Sequence, residues 1–105
     1  MDVLIHARLH KPDRMPNKEF FSIWKQEAKA ALEAVEAGII KAIYKVPGKY
    51  DVILIMGVES VDQIDEIIHS LPIWKLGYDY IVDLEWTMLR SYEHWAKQLD
   101  ELAEG

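Results

Sequence analysis

The 105-residue chain contains no cysteine. It therefore has no disulfide bonds, no thiolate nucleophile and no sulfur ligand for a metal, an absence that is typical of proteins from a reducing cytoplasm. We therefore expect a cytoplasmic protein. Because 50% of its residues are apolar, we expect a hydrophobic core to stabilise it. At this length we expect one domain spanning residues 1–105.

Long apolar runs and basic clusters are also missing. No stretch approaches the roughly 20 apolar residues of a membrane span. The beginning, MDVLIHARLH, has an acid and interspersed polar groups where a signal peptide has basic residues and an unbroken apolar run. The net charge is −6, whereas nucleic-acid-binding surfaces are basic. We therefore expect no membrane partner and no nucleic-acid partner.

Recognisable motifs for cofactors are absent as well. The sequence has no glycine-rich phosphate loop, no nucleophile elbow and no metal-binding spacing. We therefore expect no cofactor and no metal, and we assign any chemistry to ordinary polar side chains.

Alternation and helical periodicity predict the order β-α-β-β-α-β, followed by a last helix. Pro16 suits a helix start, Gly38 suits its end, and Ser60 with Gln63 has the form of a capping box. The predicted strands are residues 3–10, 39–46, 50–58 and 78–89, and the predicted helices are residues 16–37, 60–71 and 91–103. In this prediction, residues 73–78 form an elongated loop.

This order predicts a ferredoxin-like α+β fold, in which two helices cover one face of a four-stranded antiparallel sheet. The first and third strands are expected at the centre, and the fourth strand pairs with the first. The third strand, YDVILIMGV, is apolar on both faces, so its second face needs a cover. We therefore expect self-association into a face-to-face dimer.

The polar face of the first strand carries His6, Arg8 and His10. The two histidines lie about 13 Å apart along a strand, too far to share one metal ion. His6 is either a proton-transfer residue or a hydrogen-bonded core histidine, whereas His10 is expected to be a surface residue. Arg8 has the chemistry to hold a substrate carboxylate through two hydrogen bonds.

Acidic residues on the neighbouring strands are candidate partners for these cations. They are Asp51 on the third strand and Asp79, Asp83 and Glu85 on the fourth. An imidazole paired with a carboxylate can transfer protons. The alternative is that Asp79 and Asp83 are edge charges that prevent aggregation of the sheet.

Aromatic residues with polar tips form the remaining candidate group. They suit the wall of a small-molecule pocket and suit a subunit interface equally well. These residues are Tyr44, Tyr50, Trp74, Tyr78, Tyr80 and Trp86.

The segments VLIHARL, IIKAIYKVPGKYDVILIMGVESVDQIDEIIHSLPIW and YIVDLEWTML resemble the muconolactone Δ-isomerase family over most of residues 3–90. The resemblance implies a dimeric α/β barrel, often assembled into larger rings. It also implies a cofactor-free proton shift in an unsaturated lactone that carries a carboxylate. His6 matches the first-strand histidine of the family, and Tyr50 matches its tyrosine after the glycine.

The chain departs from the family pattern at positions where we expect residues to contact a ligand. Lys41 and Ala42 stand in place of an Arg-His pair, Asp51-Val52 follows Tyr50 in place of Ala-Asn, and a helix replaces the usual tail. Two alternatives therefore stay open: a cofactor-independent oxygenase or cyclase on the same barrel, and a non-catalytic small-molecule-binding or assembly protein.

Taken together, the residues and the resemblance define one set of candidates. The catalytic candidates are His6, Tyr50 and Asp51, and the substrate-binding candidates are Arg8, Tyr44, Trp74, Tyr78 and Tyr80.

Overall fold

A computed structural model describes residues 1–105 and confirms the ferredoxin-like α+β fold. The four strands form one antiparallel sheet in the order β2-β3-β1-β4, with β3 and β1 at the centre as predicted. The elements are β1 (Asp2–Leu9), α1 (Asn17–Glu36), β2 (Ile40–Lys45), β3 (Asp51–Gly57), α2 (Val61–Ser70), α3 (Pro72–Lys75), β4 (Val82–Leu89) and α4 (Tyr92–Glu104).

Strict alternation along β1 separates the two faces of the sheet. Its odd-numbered side chains, Val3 to Leu9, are buried on the helix-covered face, and its even-numbered side chains lie on the uncovered face. Two groups of buried residues make up the core on the covered side. One group contains Val3, Ile5, Ile40, Met56, Val58 and Ile64, and the other contains Leu9, Met15, Phe20, Ile23, Ile73 and Ile81.

The boundaries of α2 follow the signals in the sequence. The Ser60 side chain accepts a hydrogen bond from the Gln63 N–H, and the Gln63 side chain accepts one from the Glu59 N–H at 2.6 Å. Both bonds satisfy backbone donors at the start of the helix, as a capping box does. Leu71 is extended and Pro72 follows, so α2 ends there and α3 begins with proline in its first turn.

The prediction that residues 78–89 form one strand is wrong at its beginning, and residues 73–78 are not simply a loop. Pro72–Lys75 is a helical turn, Asp79–Ile81 is a 3₁₀ turn, and β4 begins only at Val82. Gly77 reverses the chain with φ +79°, and Ile81 is 0% exposed. Burying Ile81 in the core outweighs the strand preference of the tyrosines beside it.

The last helix, α4, projects from the sheet. It contains no buried residue and makes few contacts with other elements. The molecule measures 61 × 27 × 22 Å and its radius of gyration is 16.9 Å, compared with about 13 Å for a compact 100-residue domain. No helix of the chain combines the length and apolarity needed to cross a membrane.

Two adjacent phenylalanines on α1 test where the core lies. Phe20 is 0% exposed and Phe21 is 43% exposed. Replacing Phe20 with Ala leaves a cavity under the sheet and should lower the free energy of unfolding by about 3–5 kcal/mol. The matched Phe21→Ala change should cost about 1 kcal/mol. Urea denaturation measures both, and equal losses would contradict this account of the core.

Candidate active site

The polar candidates on β1 lie on the uncovered face of the sheet. Cα partners across antiparallel strands point to the same face, and Arg8 lies between Asp51 of β3 and Asp83 of β4. His6 lies opposite Glu85 in the same way. The sheet register therefore brings three carboxylates close to His6 and Arg8.

His6 and Asp51 form the closest pair at the centre of this face. The Nε2 atom of His6 is 2.8 Å from Oδ2 of Asp51, and their side chains are 24% and 17% exposed. A carboxylate accepts hydrogen bonds, so the pair fits the His6 tautomer that carries its proton on Nε2. The second ring nitrogen, Nδ1, then carries the basic lone pair.

Arg8 lies beside this pair and keeps part of its guanidinium exposed. Its Nη2 is 3.4 Å from Nδ1 of His6, its Nη1 donates to Glu85 at 3.3 Å, and its Nε is 3.9 Å from Asp51. The contact with His6 is long for a hydrogen bond. A carboxylate ligand could therefore draw the guanidinium away at small cost and leave Nδ1 free.

His10 forms a similar pair with Asp83 at the end of the strand. The Nε2–Oδ2 distance is 2.6 Å, but the side chains are 56% and 73% exposed. Charge pairs in such exposed positions contribute little to stability. His10 is therefore a surface residue, as expected, and a natural comparison for His6.

Other predicted site residues do not join this group. Tyr50 packs edge-on against Phe21 and Trp24 of α1. Tyr44 is 70% exposed on β2. Tyr78 and Tyr80 form a tilted ring pair with centroids 6.3 Å apart.

The hydroxyl of Tyr78 donates to Glu19 of α1 at 3.2 Å. This hydrogen bond to a carboxylate raises the pKa of Tyr78, because the phenol loses its bond when it ionises. Tyr78 therefore acts as a link between α1 and the 3₁₀ turn.

Trp74 borders a separate apolar cavity on the opposite, helix-covered face. The cavity has a volume of about 520 Å³ and lies between the sheet, α1 and the α2–α3 segment. Trp24 and Trp86 line it as well, and Glu27 contributes a carboxyl group. His6, Arg8 and Asp51 are absent from its lining. The structure thus divides the predicted site residues between two faces of one sheet.

Glu27 was not a candidate from the sequence. Its carboxylate accepts a hydrogen bond from the Ile73 N–H. Burial raises the pKa of Glu27, and this backbone hydrogen bond only partly opposes the shift. The signal in the sequence was an acid three residues after Trp24 and four before Ala31, on the apolar stripe of α1. No group of three or more imidazole and carboxylate side chains converges to hold a metal ion.

An antiparallel ferredoxin-like sheet with a histidine–aspartate pair and an arginine on its uncovered face defines a small α+β protein. The chain belongs to the muconolactone delta-isomerase family, whose family model matches residues 1–94. No curated protein sequence matches the chain.

The fold resembles those of solved structures, among them muconolactone isomerase and a dehydrochlorinase. Muconolactone isomerase is 18% identical with a TM-score of 0.71, covering 87% of this chain and 90% of that one. The 5-chloro-2-hydroxyhydroquinone dehydrochlorinase of Burkholderia phenoliruptrix, solved with 2,5-dihydroxybenzoquinone, is 18% identical with a TM-score of 0.61. That alignment covers 88% of this chain and 97% of the dehydrochlorinase. At this identity the likeness concerns the fold.

The raised pKa of Glu27 predicts a pH-dependent effect on stability. The ordinary pKa of the Glu27 carboxyl is 4.5. As the pH rises above this value, Glu27 loses its proton in the unfolded chain before it does so in the folded protein. The contribution of Glu27 to stability is therefore greatest below 4.5 and falls as the pH rises through the raised folded pKa. Glu27→Gln should consequently be more stabilising, relative to wild type, at pH 7.5 than at pH 4.

Thermal unfolding followed by circular dichroism at the two pH values measures this difference. Glu33→Gln, at an exposed position on the same helix, is the matched control and should show no such trend. A Glu27→Gln difference that is constant with pH would contradict the raised pKa.

Proposed function

We propose that the protein is a cofactor-free enzyme that shifts a proton within a small unsaturated lactone or cyclic carboxylic acid. The observation that carries this proposal is the 2.8 Å pair of His6 and Asp51 with the Arg8 guanidinium beside it. Membership of the muconolactone delta-isomerase family and the fold likeness to muconolactone isomerase support it.

In this proposal, Nδ1 of His6 is the base. It removes a proton from a carbon that is acidified by a conjugated carbonyl, and the imidazolium returns the proton to another carbon of the same system. The double bond moves, and no oxidant or reductant is consumed. Asp51 accepts from Nε2–H, keeps the ring in this tautomer and stabilises the imidazolium.

Arg8 has two roles in the same proposal. Its guanidinium binds the substrate carboxylate, which replaces the long contact with Nδ1 and frees the base. The same positive charge stabilises the dienolate-like intermediate that forms when the proton leaves. Glu85 holds the guanidinium from the other side at 3.3 Å, so the arginine stays over the strand.

In this proposal, Tyr50 positions Asp51 and takes no chemical step itself. Its ring is fixed by Phe21 and Trp24, and its carbonyl accepts the N–H of Leu9 at 2.9 Å. These contacts anchor the backbone immediately before Asp51. Tyr44 lies on the uncovered face with His6, because both are cross-strand partners of Ile53, but its side chain is 70% exposed. We assign no chemical step to Tyr44, Tyr78 or Tyr80.

Substitution of the two histidines tests the base. His6→Ala removes it and should lower turnover by about 10² or more, whereas His10→Ala, which breaks the exposed pair, should change turnover by less than about threefold. The assay is NMR detection of isomerisation and deuterium uptake by muconolactone in D₂O.

Arg8→Gln adds a second arm to this experiment. It keeps a polar side chain but loses the charge, so KM should rise and turnover should fall. If His6→Ala and His10→Ala are equally active, His6 is not the base and the proposal fails.

Self-association is part of the proposal, because the site lies on an open sheet. Half-buried apolar residues surround His6, namely Leu4 beside it on β1 and Ile53 and Ile55 on β3. A second sheet packed on this face would cover them and exclude water from the dienolate. Sedimentation velocity at micromolar concentration should therefore show a dimer or a larger assembly. A monodisperse monomer would contradict this part.

A second candidate reaction is loss of HCl from a chlorinated, hydroxylated ring. The fold likeness to 5-chloro-2-hydroxyhydroquinone dehydrochlorinase favours it, and the same base would take the proton while chloride leaves with its bonding electrons. Chloride release from 5-chloro-2-hydroxyhydroquinone, absent with His6→Ala, would identify this reaction in place of isomerisation.

A further inference from the structure

The last helix, α4, presents an apolar face that no other element of the chain covers. It has 13 residues, none of them buried, and Tyr92, Leu99 and Leu102 are 76%, 39% and 58% exposed. Isolated helices shorter than about 12–15 residues are marginal in water, and most helices in proteins depend on packing of an apolar face. The family model ends at residue 94, so this surface lies almost wholly beyond the residues that it matches.

Local contacts fix the beginning of α4. The Ser91 side chain accepts the N–H of His94, and Arg90 donates to Oε1 of Gln98 at 2.7 Å. The guanidinium of Arg90 also lies 5.3 Å from the centre of the Trp95 ring, which is within the range of a cation–π contact. These contacts place a positive charge at one edge of the exposed apolar face.

The residues of α4 follow a heptad repeat, which is the pattern of paired helices. Apolar residues recur at alternating intervals of three and four and so form one stripe at the a and d positions: Tyr92, Trp95, Leu99 and Leu102. The flanking e and g positions within the helix hold Ala96, Gln98 and Ala103. Every charged residue therefore falls on the outer b, c and f positions. Small uncharged flanks let a second helix approach the stripe closely.

The two ends of α4 differ in charge. Three acids lie in its C-terminal half, namely Asp100, Glu101 and Glu104, and its last turn contains no basic residue. These charges oppose the helix dipole, whose C-terminus is itself negative. The other end carries Arg90 and the positive end of the dipole, while Glu93 and Lys97 offset each other as an i,i+4 pair. An antiparallel pair of such helices brings each acidic end beside a positive end, whereas a parallel pair brings the acidic ends together.

We propose that α4 is a pairing helix, which packs antiparallel against α4 of a second copy of the chain about a two-fold axis near Lys97. Trp95 then lies against Leu99 of the partner subunit, and Tyr92 lies against Leu102 of the partner subunit. The whole apolar stripe is covered on both copies. The guanidinium of Arg90 comes close to the level of Glu101 of the partner subunit. The contact is isologous, because both copies use the same residues.

This interface is separate from the sheet-face association in the proposed function. That association is centred on His6 in β1, whereas α4 follows the end of β4 and projects from the sheet. One α4 pair is a small contact, since a helix of this length measures about 20 Å. It gains strength where the sheet interface also links the copies. His6→Ala, which lacks the proposed base, should associate like the wild type, so a failed reaction and a failed pairing are distinguishable.

Substitution inside the stripe tests the pairing on the full chain. Leu99→Lys keeps a good helix former but places a charge in the seam. Sedimentation equilibrium should show that the largest assembly is half dissociated at a protein concentration about tenfold or more above that of the wild type. Leu32→Lys makes the same change at an exposed position of α1, where Leu32 is 63% exposed. This control should stay within about twofold of the wild type.

A charge exchange tests the antiparallel arrangement. Arg90→Glu sets an acid against the acidic end of the partner and should raise the half-dissociation concentration about threefold or more at low salt. Addition of Glu101→Arg to this variant recreates an attractive pair and should return the value to within about twofold of the wild type. Such a recovery could not arise if the only effect of Arg90→Glu were loss of the contacts with Gln98 and Trp95 in its own chain.

Nitroxide labels measure the orientation directly, and the chain has no cysteine of its own to interfere. Lys97→Cys and Glu104→Cys both place the label on the outer f position. In an antiparallel pair, two labels at residue 104 lie about 20 Å further apart along the helix axis than two labels at residue 97. Double electron–electron resonance should therefore give the longer distance for Glu104→Cys.

Several results would overturn the proposal. One is equal association of Leu99→Lys and Leu32→Lys. Equal label distances at residues 97 and 104 would mean a parallel pair, and absence of any dipolar coupling between labelled copies would mean that the helices do not meet. Weakened association in Leu99→Lys without such coupling would place α4 on another part of the second copy, and this too would refute the pairing.

Discussion

The antiparallel pairing of β1 with both β3 and β4 is the constraint on which the rest of this structure depends. Because β1 lies at the centre, each of its residues from Asp2 to Arg8 has a cross-strand partner on both sides. Alternate residues must face opposite sides of the sheet. Val3 and Ile5 thereby enter the core, while His6 and Arg8 meet Asp51 and Glu85. A shift of one residue in register would exchange the two sets and destroy the core and the polar site together.

The two faces of the sheet differ in their chemical character. On the uncovered face, charges compensate one another across strands and remain close to water, so imidazole, guanidinium and carboxylates are retained at low cost. On the covered face, the sole acid bordering the cavity is Glu27, and burial favours its neutral form. A single sheet thus separates the polar group of His6, Arg8 and Asp51 from the aromatic cavity.

The segment between α2 and β4 is held against the core and α1. Ile73 and Ile81 anchor it in the core, the Ile73 N–H binds Glu27, and Tyr78 binds Glu19. Two bonds from this segment therefore end on carboxylates of α1. One bond joins α3 to α1, and the other joins the start of the 3₁₀ turn to α1.

Hydrophobic patterning by itself determined the element order and the polar face that carries His6 and Arg8, because both follow from local periodicity. The central position of β1 and β3 then follows from the rules of sheet connection. Only the tertiary structure decided that Asp51 reaches His6, that Trp74 lies on the opposite face, and that Tyr78 belongs to a turn. Register, side-chain direction and competition for burial depend on residues far apart in the chain. Only the tertiary structure likewise revealed the position of Glu27. Its hydrogen-bond partner Ile73 follows it by 46 positions, so no local sequence pattern contains both residues.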